Sequence, residues 1–531
     1  MRHWNGWGDD TQSMHLPDTA IDYLHKKLNP ATPLEDAKLN KVCQQVPKTK
    51  LVAHNLIDVS AEVRVRHAYG QSLPDWLSMR SGKIEVFPDG VAFPENQQQV
   101  QDIMTYANQN DVELIPYGGG TSVVGHITPV ASKRPILTVD MSKMSQLMDL
   151  NSSSQIATFG AGASGPQVES QLQEKGYTLG HFPQSFELST IGGWIASRSS
   201  GQQSLHYGRI EQLFAGGSME TFDGTMEIPT FPASSTGPDL REMILGSEGR
   251  FGILSHVKVR VSRLPEKEDF YVCFFQNWQN VTAFCREIAQ QNIRLSMLRV
   301  SNALETETQL KIAGKEKLIK KLERYLKFRG CDQHKCMLTF GITGTAAQCT
   351  AIKKQCKKIQ KKYKGVGTGV SLGKKWAENR FKLPYLREAL WLKGYAVDTF
   401  ETAVDWQHVD KMMSQAESAI ANGLNNEGEK VHVFTHLSHV YGQGCSLYTS
   451  YIFPCADSYE ATLQRWKILK KAACEAIIKN HGTISHQHGV GKDHAPYLKA
   501  EKGEIGMSVL EGLCQQFDPD GRLNPGTLIG K

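Results

Sequence analysis

Short apolar runs alternate with amphipathic stretches between Ile84 and Arg263. Glu113-Leu-Ile-Pro, Ile136-Leu-Thr-Val-Asp140 and Ile156-Ala-Thr-Phe-Gly160 are bounded by turn formers, which predicts strands. Glu95–Asn108 repeats Val100, Ile103, Met104 and Ala107 at helical spacing, and Gln167–Lys175 predicts a second helix. Ile84–Pro94 reads as short strands with turns. A second series begins at the strand Phe270–Phe275. It continues through a helix at Asn280–Gln291, strands at Ser296–Val300 and Cys336–Thr343, a strand-rich stretch at 431–453 and a long helix at Tyr459–Asn480. Upstream, Pro17-Asp18-Thr19-Ala20 opens a helix through Leu24. The expected units are a helical arm (1–84), an α+β domain (85–265), a second domain (266–430) and a C-terminal segment (431–531), with no internal repeat.

Composition narrows the class. The 531 residues are 40% hydrophobic and 21% charged, which excludes disordered, collagenous and coiled-coil chains. No run approaches the ~18 apolar residues of a membrane span. Met1-Arg-His-Trp-Asn-Gly-Trp-Gly-Asp has no apolar core of a secretory signal, and Leu528-Ile-Gly-Lys531 is neither a peroxisomal tripeptide nor a prenylation box, so a cytoplasmic location is expected. Eleven cysteines without a Cys-x-x-Cys pair predict reduced thiols.

The net charge of +6 is uneven: residues 311–364 hold 16 Lys or Arg against three acids, Glu316, Glu323 and Asp332. Such a block suits phosphates or an anionic membrane surface. Its interleaving with Leu, Ile and Tyr equally suits solvated helix faces. Glycine-flanked aromatics of single-strand binders are missing, so nucleic acid is not expected.

Three segments carry chemistry. Ile115-Pro-Tyr-Gly-Gly-Gly-Thr-Ser-Val-Val-Gly125 follows a strand, and its glycines leave bare N–H groups that can wrap an anion, with Thr121 and Ser122 adding hydroxyls. It is neither a Walker loop nor a Rossmann turn, so a dinucleotide pyrophosphate held by another fold is expected. Candidate contacts are Pro116, Tyr117, Gly118, Gly119, Gly120, Thr121 and Ser122. Pro183-Gln-Ser-Phe-Glu-Leu-Ser-Thr-Ile-Gly-Gly-Trp194 and Ser197-Arg-Ser-Ser-Gly201 bring backbone close to a ring or phosphate. They contribute Gln184, Ser185, Phe186, Glu187, Leu188, Ser189, Thr190, Gly192, Gly193, Ser197, Arg198, Ser199 and Ser200. Ile244-Leu-Gly-Ser-Glu-Gly-Arg-Phe-Gly-Ile-Leu254 adds Glu248, Gly249, Arg250, Phe251, Gly252, Ile253 and Leu254, with the carboxylate able to face a ribose or adenine.

In this order the three segments resemble the vanillyl-alcohol-oxidase/p-cresol-methylhydroxylase (PCMH)-type FAD-binding family. The resemblance implies an α+β fold: a two-subdomain PCMH-type FAD-binding domain plus an α/β cap domain with an antiparallel sheet. Trp4-Asn-Gly-Trp-Gly8, Ser235-Thr-Gly-Pro-Asp239, Ser438-His-Val-Tyr441 and Ser485-His-Gln-His-Gly-Val-Gly491 resemble its alkylglycerone-phosphate synthase branch. That branch exchanges the acyl chain of acyl-dihydroxyacetone phosphate for a fatty alcohol through a flavin N5 adduct without net redox change. The resemblance further implies non-covalent FAD and a homodimer.

By the same resemblance, Arg387 in Pro384-Tyr-Leu-Arg-Glu388 binds the substrate phosphate, and Arg299 in Met297-Leu-Arg-Val-Ser301 is a second substrate-binding arginine near the active site. Tyr448, His486 and His488 are the expected catalytic groups, a histidine being suited to removing a proton beside a carbonyl. The chain departs from the family's His-His-His at Gln487, which cannot take a proton.

The alternative is an FAD-linked dehydrogenase of a D-2-hydroxy acid, another anionic small substrate. Its His/His/Glu metal site would fall on His439, Tyr448 and Gln487, which lacks two ligands, so no metal is expected. His126, just after the glycine loop, is the residue to test for covalent flavin.

Overall fold

The computed structural model describes residues 2–9 and 11–530. The first half holds two main sheets and a short ribbon that pairs Tyr177–Thr178 with Ser262–Arg263. Glu113–Tyr117 and Gly90–Ala92 flank Ile136–Asp140 in parallel, and Ile57–Asp58 closes the far edge antiparallel. Every residue of Ile136–Asp140 is buried, as expected of a parallel strand covered on both faces. Helix Gln97–Gln109 lays Val100, Ile103, Met104 and Ala107 on this sheet. Asn96 caps it, accepting from the Gln99 N–H at 3.0 Å.

The second sheet has five antiparallel strands in the order 147–151, 156–160, 253–260, 214–221, 224–228. Helices Gly165–Gln173 and Ile191–Ala196 pack Val168, Leu172, Trp194 and Ile195 into its core. The two sheets are the two subdomains, and the glycine-rich segments run between them.

The rest is the cap. Its antiparallel sheet has seven strands in the order 366–367, 267–275, 336–344, 297–301, 432–440, 444–454, 395–405. Helices Trp278–Gln290, Ala346–Lys362, Val409–Ala421 and Tyr459–Lys479 bury their apolar sides in one large core with it. Strands His432–Val440 and Gly444–Pro454 lie inside this sheet, so it crosses the division expected at 430.

Among the elements that were not anticipated, two bear on the site. Strand Tyr395–Asp405 was hidden by its polar residues: Asp398 and Thr399 line the cavity, and Glu401 is buried behind it. Helix Ala495–Phe517, kinked at Gly503, follows the last glycine motif. The chain then returns to the first sheet. The Leu114 N–H donates to the Arg522 carbonyl at 2.8 Å, and the Asn524 N–H to the Leu114 carbonyl at 2.8 Å.

The basic block divides in two. Ala346–Lys362 buries Cys349, Cys356 and Ile359 and turns its lysines to solvent. Helix Glu316–Phe328 seats Leu322 and Leu326 on Val272 and Phe274, yet leaves Phe328 87% and Leu318 50% exposed. All eleven cysteines are free. No helix among the described residues is long and apolar enough to cross a membrane.

Candidate active site

A cavity of about 940 Å³ runs from the glycine loops, beneath the cap sheet, to the helices at 303–328 and 371–391. Its inner part is lined by Pro116 through Ser122, Gln184, Ser185, Ser189, Thr190, Gly192, Gly193, Ser197, Ser199 and Ser200, together with Glu248, Gly249, Gly252, Ile253 and Leu254. Among the described residues, the N–H groups of Gly119 through Val123 find no hydrogen-bond acceptor. The buried Ser200 hydroxyl is also unpartnered. A bare backbone nest of this kind fits a pyrophosphate.

The loop reaches this shape because glycine allows close approach. A Cβ on Gly119 would stand 1.8 Å from the Leu188 carbonyl oxygen, and one on Gly118 would stand 2.2 Å from Thr190 Oγ1. The Thr190 hydroxyl in turn caps helix Ile191–Ala196.

Seven of the residues expected to touch cofactor or substrate do not line the cavity. Phe186 stacks on Phe381 at 4.8 Å, Glu187 accepts from the Tyr385 hydroxyl at 2.9 Å, and Leu188 braces Gly119. Arg198 pairs with Glu242 at 2.8 Å. Arg250 donates to the Leu523 carbonyl, and Phe251 stacks on Phe517 in the core. His486, the seventh, is described below. Motif membership includes these residues, but their side chains are engaged by protein partners outside the cavity.

Glu248 is a different correction. Its carboxylate does not stand free for a ribose. It accepts the N–H groups of Val490 and Gly491 at 2.6 and 2.8 Å and lies 3.0 Å from His126 Nε2. Burial opposes charge on His126, but Glu248 outweighs it and raises the histidine. Ser122 holds His126 Nδ1 at 2.8 Å, so both ring nitrogens face protein groups.

Both arginines line the cavity. Arg387 donates to the Gln71 carbonyl at 2.6 Å and lies over the Trp76 ring at 4.3 Å. Its Nε and second terminal nitrogen are buried without partners, and burial pulls its pKa down to about 10. A desolvated guanidinium with spare donors is an anion site. Arg299 donates to Glu305 at 2.7 Å and keeps an unpartnered Nε. Burial alone would raise Glu305, but His436 and Arg299 hold it down to about 2.

Tyr448 lies flat on His436 at 4.8 Å, edge-on to His488 at 5.7 Å, and donates to Thr399 at 3.1 Å. Burial pushes its phenol up to about 12 and pushes His488 down, so Tyr448 keeps its proton and the His488 imidazole is neutral. Tyr448, Gln487 and His488 line the cavity, whereas His486 turns away. Its Nε2 meets the Tyr441 hydroxyl at 2.7 Å, its Nδ1 lies 3.2 Å from Glu401, and burial lowers it to about 4.

The outer cavity is apolar, lined by Leu318, Ile319, Leu322, Leu372, Trp376 and Leu383 among others. The sequence reading missed this passage, as well as Gln71, His436 and Asn524. Asn524 donates to the carbonyls of His126 and Glu248 at 2.9 and 2.7 Å. Its place at the head of Asn524-Pro-Gly526 was the available signal.

A nucleotide cradle between two subdomains, roofed by an antiparallel cap sheet, defines a PCMH-type flavoprotein. Residues 88–228 match the FAD binding domain, and residues 264–528 match the C-terminal domain of FAD linked oxidases. The chain belongs to this family and is an FAD-dependent enzyme. Within it, the chain is 29% identical to alkyldihydroxyacetonephosphate synthase of Dictyostelium discoideum, over 99% of this chain and 93% of that one. It is also 29% identical to the enzyme of that name from Trypanosoma brucei brucei, over 99% and 92%. A solved structure of alkyldihydroxyacetonephosphate synthase superposes with a TM-score of 0.85 at 26% identity, covering 99% of this chain and 98% of that one.

Proposed function

We propose that this enzyme carries out the alkyldihydroxyacetonephosphate synthase reaction. Acyl-dihydroxyacetone phosphate loses its acyl chain as a fatty acid, and a fatty alcohol takes its place. The exchange is redox-neutral: one carbon–oxygen bond breaks with its electron pair leaving on the carboxylate, and another forms to the alcohol oxygen. The reading is carried by one cavity that joins the half-unpartnered guanidinium of Arg387 to an apolar passage. A phosphate head and an aliphatic tail need both ends. A small D-2-hydroxy acid would use only the arginine end.

FAD, when bound, supplies an electron-poor ring against which the substrate carbon is activated. The chain's own groups do the rest. Arg387 holds the phosphate, with Arg299 orienting it from the Glu305–His436 side. His488, neutral and facing the cavity, takes the proton beside the ketone. Tyr448 keeps its proton and, turning it from Thr399, donates a hydrogen bond to the reacting oxygen. Gln487 orients by hydrogen bonding. The apolar side chains exclude water, which would otherwise compete with the alcohol.

The proposal extends to where the enzyme works. Helix Glu316–Phe328 lines the passage with Leu318, Ile319 and Leu322 while Phe328 and a row of lysines face out. This supports docking on an anionic membrane surface beside an insoluble substrate. A cytoplasmic enzyme meeting that surface peripherally, as a homodimer, completes the reading; the dimer rests on the family resemblance.

The test is an anaerobic spectrum of the holoenzyme. Acyl-dihydroxyacetone phosphate should bleach the long-wavelength flavin band with no acceptor present, and a long-chain alcohol should restore it with ether product formed. Bleaching only by a D-2-hydroxy acid, reversed only by an electron acceptor, would replace the proposal with the dehydrogenase.

A further inference from the structure

Behind the cavity, three buried residues from separate segments converge: Glu401 on strand Tyr395–Asp405, His439 on strand His432–Val440, and His486 just ahead of Gln487 and His488. One ligand atom from each lies within 4.8 Å of the other two. Glu401 Oε1 stands 3.2 Å from His486 Nδ1 and 3.7 Å from His439 Nδ1.

The far nitrogens are tied. His439 Nε2 is 3.0 Å from the Gly201 carbonyl, which only accepts, so Nε2 carries a proton and Nδ1 is the nitrogen turned toward Glu401. His486 Nε2 is 2.7 Å from the Tyr441 hydroxyl, which fixes the plane of that ring and turns Nδ1 toward Glu401. An imidazole anchored through one nitrogen, with the other turned toward a shared centre, is how proteins present a metal ligand.

The convergence is only partly resolved within the protein. His486 Nδ1 and Glu401 Oε2 are buried without hydrogen-bond partners. Ser438 Oγ lies among them, donating to Glu401 Oε1 and standing 2.9 Å from His439 Nδ1 and 2.7 Å from Ser446 Oγ. Two imidazole nitrogens and a carboxylate aimed at one point, away from water, call for a cation.

We propose that Glu401, His439 and His486 bind one divalent transition-metal ion, with Zn²⁺ best matched to this N₂O donor set. Tyr448 and Gln487, the positions weighed from the sequence alongside His439, take no part: both line the cavity instead. Because His486 leads directly into Gln487 and His488, the ion pins the segment that presents them. It is a positioning ion, and the inference stands whichever substrate the cavity takes.

The full-length holoprotein, dialysed against metal-free buffer, is assayed for metal per flavin. It is then titrated with Co²⁺ and read beyond the flavin band, where Co²⁺ ligand-field absorption appears. About one equivalent of Zn²⁺ as isolated, or of Co²⁺ with tetrahedral bands, is expected. His439→Ala and Glu401→Gln should lower affinity 10- to 100-fold or more while FAD content reports folding, and Tyr448→Phe should retain the ion. A wild-type protein with full flavin that holds no metal and gives no Co²⁺ band overturns the proposal. So do folded variants that bind as wild type. The Co²⁺ titration of the wild type decides the matter even where a variant fails to fold.

Discussion

Replacing Arg387 by Met should separate binding from stability. Burial lowers the guanidinium from 12.5 to about 10, which at ~1.4 kcal/mol per pK unit is roughly 3 kcal/mol against the charged form. Methionine removes that cost. It also forfeits about 1 kcal/mol for the bond to the Gln71 carbonyl and about 1–2 kcal/mol for the contact with Trp76. These offset to within a kcal/mol or so, and the Tm should move by only a few degrees. Substrate binding has no such compensation. Two buried donors lost from a phosphate, at ~1.5–3 kcal/mol each, predict a KM raised roughly 100-fold or more. The assay is steady-state release of fatty acid against acyl-dihydroxyacetone phosphate, with calorimetry on the same sample. Lys at this position should rescue poorly, because it lacks the fork. An unchanged KM, or a Tm drop above ~10 °C, would refute the anion-site reasoning and make Arg387 structural.

Other outcomes follow from the same geometry. His488→Ala should lower kcat by about 10²–10⁴-fold while the protein stays yellow; loss of flavin would mean that His488 only shapes the loop. Gly119→Ala should abolish FAD retention, measured as flavin absorbance per chain, because its Cβ would meet the Leu188 carbonyl at 1.8 Å. Asp493 is raised by burial from 3.8 to about 7. Between those values the unfolded chain has released a proton that the fold retains, so stability declines as pH rises from about 4 to 7, by up to roughly 4 kcal/mol. Asp493→Asn should flatten that slope in a Tm–pH series, and an unaltered slope would exclude Asp493 as its source. Exchanging Lys317, Lys320 and Lys321 for Glu should abolish salt-sensitive binding to anionic liposomes; wild-type binding insensitive to salt would remove the docking role.

Much of this molecule could be read from residue order, and what could not has definite causes. The glycine loop was visible because three consecutive glycines after a strand have few structural uses, and the cavity forms around them. The roles of Arg250 and Phe251 were not visible. Both sit within a nucleotide-binding motif, but their partners, Leu523 and Phe517, lie more than 250 residues away. Among His486, Gln487 and His488, spacing gives no direction on an irregular segment. Only Glu401, brought in by a strand whose inward polar residues concealed it, decides that His486 turns from the cavity and His488 toward it. The apolar passage is assembled from helices in different parts of the chain, so no local pattern announces it.

The return of residues 522–524 to the strand at Glu113–Tyr117 bears on how the enzyme matures. The strand that launches the glycine loop gains its last backbone partners from residues about 400 positions later, after the whole cap has been made. On a ribosome the nucleotide domain therefore waits, nearly finished, while the cap emerges and folds ahead of it. Nascent chains halted before residue 522 should fold the cap yet release added flavin, and acquisition of the cofactor should coincide with chain release. Loading would thus act as a proofreading step, admitting FAD only into molecules whose catalytic roof is already in place.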